Sequence, residues 1–211
     1  MSAVENRPSV ERIVIPNVSW ETYISLVDDL EASSAPRLTY DQGELEIMSP
    51  HLEHEAANRA LSAVVEIALE ESNIDFESAG STTFKNEALK RGFEPDSCFY
   101  IENAALIRDR GRLDMEIDPP CDLLIEVDLP RDSSGKFPLY AALRVPEVWL
   151  YRTALEIWTL ESGDYVRRTF SQAVPRLSDT LVTELLEARK DMPRPRWLRL
   201  IRTRVRALIQ S

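Results

Sequence analysis

DLLIEVDLPRDSSGK, residues 122–136, decides how the rest of the chain is read. Leu123, Leu124, Ile125 and Val127 form the kind of apolar run found in a strand covered on both faces. Glu126 sits inside that run, Asp128 closes it, and Lys136 follows eight residues after Asp128. A carboxylate in such a strand is costly unless it is paired or holds a cation. By the two-residue period of a strand, positions 122, 124, 126 and 128 share a face, so Glu126 and Asp128 point the same way.

The chain has 211 residues, enough for one ordinary domain with an appendage and for a real core. Hydrophobic content of 44% and charged content of 29% exclude wholesale disorder. No apolar run approaches the roughly 20 residues that span a bilayer, and the N-terminus lacks a signal-peptide core. A soluble cytoplasmic protein is expected, with Cys98 and Cys121 as thiols in or near the core. The net charge of −11 argues against a generic nucleic-acid coat. Residues 189–206 carry +7, so the remaining body carries −18: an acidic body with a basic C-terminal end.

Patterning places the elements. Residues 1–17 read as a leader. SWETYISLVDDLEA carries a helical stripe at Trp20, Tyr23, Leu26, Val27 and Leu30, with Ser19 as cap. RLTYDQGELEIM alternates as a hairpin turning at Asp41-Gln42-Gly43, with Leu45 and Ile47 on one face. Ser49-Pro50 reads as N-cap and first residue of a helix over about 51–71. Strands are expected at 75–79, 82–85 and 97–101, then the opening strand, then a short helix over 136–143 with Ser133 or Ser134 as cap. EVWLYR, LEIWTL and DYVRRTF suggest an antiparallel meander, and two helices close the chain. The class is mixed α/β, a β-sheet flanked by helices.

Three carboxylates recur at strand ends: Glu44 on the hairpin, Asp96 in GFEPDSCFY, and Glu126. A Pro-Asp, a Glu at the end of an apolar strand thirty residues on, and a Lys shortly after form a recognisable set. Hard oxygen ligands hold Mg²⁺, which polarises a phosphodiester and lowers the pKa of bound water. A Lys orients that water or stabilises developing negative charge.

With these motifs the chain resembles the Uma-type family of putative restriction endonucleases, within the PD-(D/E)XK nuclease superfamily. RLTYDQGELEIMSPHLEHE, GSTTFKNEALKRGFEPDSCFYI and LLIEVDLPRDSSGKFPLYAALRVPEVWLYR carry the likeness, over about residues 18–170. It implies a restriction endonuclease-like domain over 18–172, with an N-terminal hairpin, and a helical C-terminal extension over 173–211. It implies a Mg²⁺- or Mn²⁺-dependent endonuclease acting on DNA. Asp96 matches the Asp of the PD motif and Glu126 the acid of (D/E)XK; with Glu44 they are the implied metal ligands. The motif Lys should stand at 128, where this chain has Asp128, so Lys136 takes its place as a displaced catalytic Lys. Glu44 matches the hairpin acid, and His54 the His of an SPxxxH helix start. Pro130-Arg131 intervenes on the path from Glu126 to Lys136, where the family often has Ser or Thr. By analogy with folds of this kind, a homodimer is possible.

Each candidate also has a plainer reading. Asp96 can be a turn residue, Glu126 one half of a strand-edge salt bridge, and Lys136 a solvated charge, as can Lys85 in STTFK, whose sharper reading is a phosphate contact. Glu44 can be a surface charge, and Glu46, on the same face, can take its role. His54 can be a satisfied half-buried His. Trp197, Leu198, Ile201, Val205 and Leu208 make an apolar stripe on the last helix, with Arg199, Arg202 and Arg206 off it; the helix serves packing on the body or a second subunit, a DNA backbone, or a membrane surface, for which it is short. The alternative function is an inactive nuclease-fold module that binds protein or nucleic acid; hydrolysis of another phosphodiester is a third.

Overall fold

The computed structural model describes residues 11–30, 36–111, 113–128 and 134–210. Most of the expected leader, the Pro130-Arg131 insertion and the Ser133 cap lie outside these residues.

A first unit is a five-stranded antiparallel sheet. Its strands are β1 (Glu11–Ile15), β2 (Arg37–Asp41), β3 (Glu44–Ser49), β5 (Phe84–Asn86) and β6 (Arg91–Phe93), in the order β1-β3-β2-β6-β5. The β2–β3 hairpin turns at Gln42 and Gly43, both at positive φ, 48° and 106°. Such dihedrals twist the loop in the sense the strands require. Helix α1 (Trp20–Leu30) covers the Leu38, Tyr40 and Leu45 face, with Ser19 Oγ accepting the Thr22 N–H at 3.2 Å as cap. Tyr23 stacks on Tyr40 with ring centroids 4.9 Å apart and lies over Gly92. Only a residue without Cβ fits beneath that ring.

The second unit is a six-stranded sheet in the order β11-β10-β9-β8-β7-β4. Its strands are β4 (Glu77–Ser78), β7 (Ser97–Tyr100), β8 (Leu123–Val127), β9 (Glu147–Tyr151), β10 (Leu155–Glu161) and β11 (Asp164–Arg168). Only β8–β9 is parallel, because α4 (Phe137–Ala142) carries the chain back across the sheet between them. Leu123, Ile125 and Val127 join one core cluster with α2 (Leu52–Glu71), α5 (Asp179–Ala188) and α6 (Arg194–Ile209). Leu124 points to the opposite cluster, with Tyr140 of α4, and Glu126 shares its face. A one-turn helix, α3 (Ala104–Ile107), lies in the β7–β8 connection.

The mixed α/β class, with helices flanking sheet, is what the structure shows, although the strands divide between two sheets. Three local expectations change. Residues 11–15 pair with β3 as an edge strand rather than forming loose leader. Arg91–Phe93 is an unforeseen strand, made by pairing with both β2 and β5. Ser49 ends β3, opposite Glu11, so His51 becomes the N-cap of α2 and gives it no side-chain hydrogen bond. Both cysteines are buried and free, as expected.

A candidate acid-and-base cluster where the two sheets meet

The expected residues converge at the C-terminal end of β8. Asp96 precedes β7, which pairs antiparallel with β8 through Ser97 and Ile125. Its Oδ2 accepts the backbone N–H of Val127 at 2.7 Å, beside Glu126. Asn58 of α2 ties the same corner: its Nδ2 donates to the Asp96 carbonyl at 2.9 Å, and its Oδ1 accepts from Ser97 Oγ at 2.8 Å. The long helix is thereby anchored against the strand that presents the acid.

His54, on the first turn of α2, brings Nε2 to 3.1 Å from Asp96 Oδ2 and also meets the Val127 backbone. Burial, with the Arg37 charge adding to it, pushes the imidazole down to about 4, so it is neutral at physiological pH. Arg37, at the start of β2, pairs through Nη1 with Asp96 Oδ1 and through Nη2 with Glu55 Oε1, the latter at 2.5 Å. The phenol of Tyr140 donates to Glu126 Oε1 at 2.7 Å. Burial pushes the Glu126 carboxyl above its ordinary range; the Lys136 charge and the Tyr140 hydrogen bond draw it back, and Asp128 opposes them. Lys136 Nζ stands 3.4 Å from Glu46 Oε1, and Glu46 also pairs with Arg12 at 2.5 Å.

Asp96, Glu126, His54 and Lys136 are thus brought into one cluster, and Glu44 is not. Glu44 lies exposed at the turn end of β3, whereas Glu46, one pleat further along the same face, reaches Lys136. Asp128 is buried and meets Arg152 at 3.4 Å. Lys85 lines a cleft of about 640 Å³ with Trp20, Glu21 and Glu87, none of them in the cluster. Arg202 and Arg206 bind Glu70 and Glu71 at the far end of α2, so the packing reading holds for those two arginines. Arg37 and Tyr140 were missed. Arg37 shares a hairpin face with Glu46, the one sign of it in the sequence.

Asp96 and Glu126 supply hard carboxylate oxygens, and the desolvated Glu126 lacks full compensation for its charge. In donor chemistry the pair fits a divalent cation. Yet among the described residues no group of three or more His, Cys, Asp or Glu stands close enough to hold a metal ion. The expected triad with Glu44 is therefore not assembled, because that acid stays at the exposed turn.

The two helix-flanked sheets meet at the ends of β7 and β8, where Asp96 and Glu126 lie beside Arg37 and Lys136. A crystal structure described as a putative nuclease belonging to DUF820 from Anabaena variabilis matches with a TM-score of 0.56. That match is 10% identical and covers 86% of this chain and 99% of the other. The chain belongs to the Uma2 family, described as putative restriction endonuclease, whose model matches residues 20–189. No curated protein matches. No helix among the described residues is long and apolar enough to cross a membrane.

Proposed function

We propose that this protein is a divalent-metal-dependent endonuclease that hydrolyses phosphodiester bonds in DNA. One observation carries the reading: Asp96 binds the backbone beside Glu126, and the Lys136 charge acts on Glu126 from the start of α4. Asp96 and Glu126 would hold Mg²⁺ or Mn²⁺, which supplies Lewis-acid stabilisation and a more acidic water. Lys136, beside Glu46, would orient the attacking water or stabilise the developing negative charge. Tyr140 fixes the Glu126 carboxyl, and neutral His54 holds Asp96 without adding a charge. Residues 18–172 form the nuclease unit, and the helices beyond it pack on the same core. The protein works in the cytoplasm, and as a homodimer when both strands of a duplex are cut.

Incubation with plasmid and with labelled DNA and RNA oligonucleotides tests this. Cleavage of DNA in Mg²⁺ or Mn²⁺, stopped by EDTA and lost in Asp96→Asn and Glu126→Gln, is expected. Unimpaired cleavage by both variants would remove the assignment. One observation favours a second reading, a nuclease-fold binding module without turnover: Asp96 is already neutralised by Arg37. That reading expects no hydrolysis with any divalent metal.

A further inference from the structure

Asp96 is an enclosed acid of the cluster, its side chain 1% exposed, and the guanidinium that meets it is 8% exposed. Glu55, the second partner of that guanidinium, is 33% exposed. Arg37 therefore bridges an interior acid and an acid at the rim. Its geometry is incompletely satisfied: among the described residues Nε is buried with no hydrogen-bond acceptor, and Nη1 meets Asp96 Oδ1 as an ion pair without hydrogen-bond geometry. A buried carboxylate requires a counter-charge, and here the protein supplies its own. A divalent cation needs the same oxygens, and a guanidinium in contact with them repels it with little screening. The two cations exclude one another at Asp96. Glu55 already holds the other end of the fork and lies toward solvent, so it offers Arg37 a place to go.

We infer that Arg37 gates the cluster: it neutralises Asp96 while no divalent cation is bound, and yields by shifting onto Glu55 when one binds. The inference rests on the metal-dependent reading above. It makes Arg37 and Glu55 positioning residues with opposite effects on the same equilibrium. Removing the Arg37 charge frees Asp96 for the cation. Removing the Glu55 charge strengthens the hold of Arg37 on Asp96.

Calorimetric titration of the full chain with Mn²⁺ tests this in four proteins: wild type, Arg37→Gln, Glu55→Gln and Asp96→Asn. A ligand competing with an internal group gains by the weight of the state that group held. Affinity is expected to rise about tenfold or more in Arg37→Gln and to fall about threefold or more in Glu55→Gln, on the same competition. Binding is expected to be lost in Asp96→Asn. Thermal unfolding gives a second readout: Arg37→Gln melts below wild type in EDTA and recovers in Mn²⁺, because the cation replaces the missing counter-charge. Arg37→Gln binding no tighter than wild type, with binding abolished in Asp96→Asn, overturns the gate and leaves the metal site standing. Equal binding by wild type and Asp96→Asn, or no binding by any of the four, overturns both. Should Arg37→Gln fail to fold, the partly exposed Glu55→Gln decides: affinity equal to or above wild type overturns the gate.

Discussion

The phenol of Tyr140 donates a 2.7 Å hydrogen bond to Oε1 of Glu126, joining α4 to the strand that the helix follows. Both residues are buried, and Tyr140 also packs on Phe93 with ring centroids 4.9 Å apart. Glu126 is thus held from the helix side while Asp96 grips the next residue from the strand side. The acid at the centre of the cluster has little rotational freedom.

Tyr140→Phe keeps the ring packing and removes the donor. A hydrogen bond to a buried carboxyl contributes roughly 1–3 kcal/mol. Urea unfolding should show a loss in that range, and DNA cleavage should fall about tenfold as Glu126 loses its orientation. Unchanged stability and unchanged cleavage together would show that the bond does not hold the acid.

His54 should remain neutral far below the ordinary histidine range. Its folded pKa is about 4 against 6.5 for the free side chain, with burial the main cause and Arg37 next. Between those values the unfolded chain binds the extra proton and the folded one does not. Stability should therefore rise with pH across that window and be lost as pH falls through it. Histidine proton NMR checks the titration directly. A midpoint near 6.5 would mean that the ring is solvated.

Glu46 and Glu44 share a face of β3, yet only Glu46 meets Lys136. Glu46→Gln should lower DNA cleavage about tenfold, whereas Glu44→Gln, an exposed surface change, should alter it less than about twofold. Steady-state rates on a plasmid substrate compare the two. The reverse order would return the hairpin role to Glu44.

Trp197 of α6 is fully buried, and its indole N–H donates to the Leu185 carbonyl of α5 at 2.6 Å. Trp197→Ala should cost about 3–5 kcal/mol by denaturant unfolding, the usual cost of emptying a large core site. Arg206→Ala removes a pair with Glu71 at the surface and should lower stability only slightly, by an amount that diminishes with salt. A large salt-independent loss in Arg206→Ala would contradict an exposed pair.

Much of this molecule is legible in one dimension. Local periodicity marks α1, the β2–β3 hairpin, the β9–β11 meander and the two closing helices, because a buried face repeats every two or 3.6 residues whatever it packs against. The apolar strand around Glu126 likewise announces a charge that needs a partner. Other features carry no local signal. Arg91–Phe93 has three residues and a glycine, and becomes a strand only through partners on both sides. Glu44 and Glu46 have the same parity, so alternation cannot choose between them; their depth in the packed sheet does. Arg37 looks like any polar strand residue until β2 is laid beside α2 and the end of β8. The sequence by itself thus determined the strongly periodic helices and strands, and that Glu126 lies within an apolar strand. Which cation answers which acid was decided by the tertiary structure alone, since that depends on distances between elements far apart in the chain.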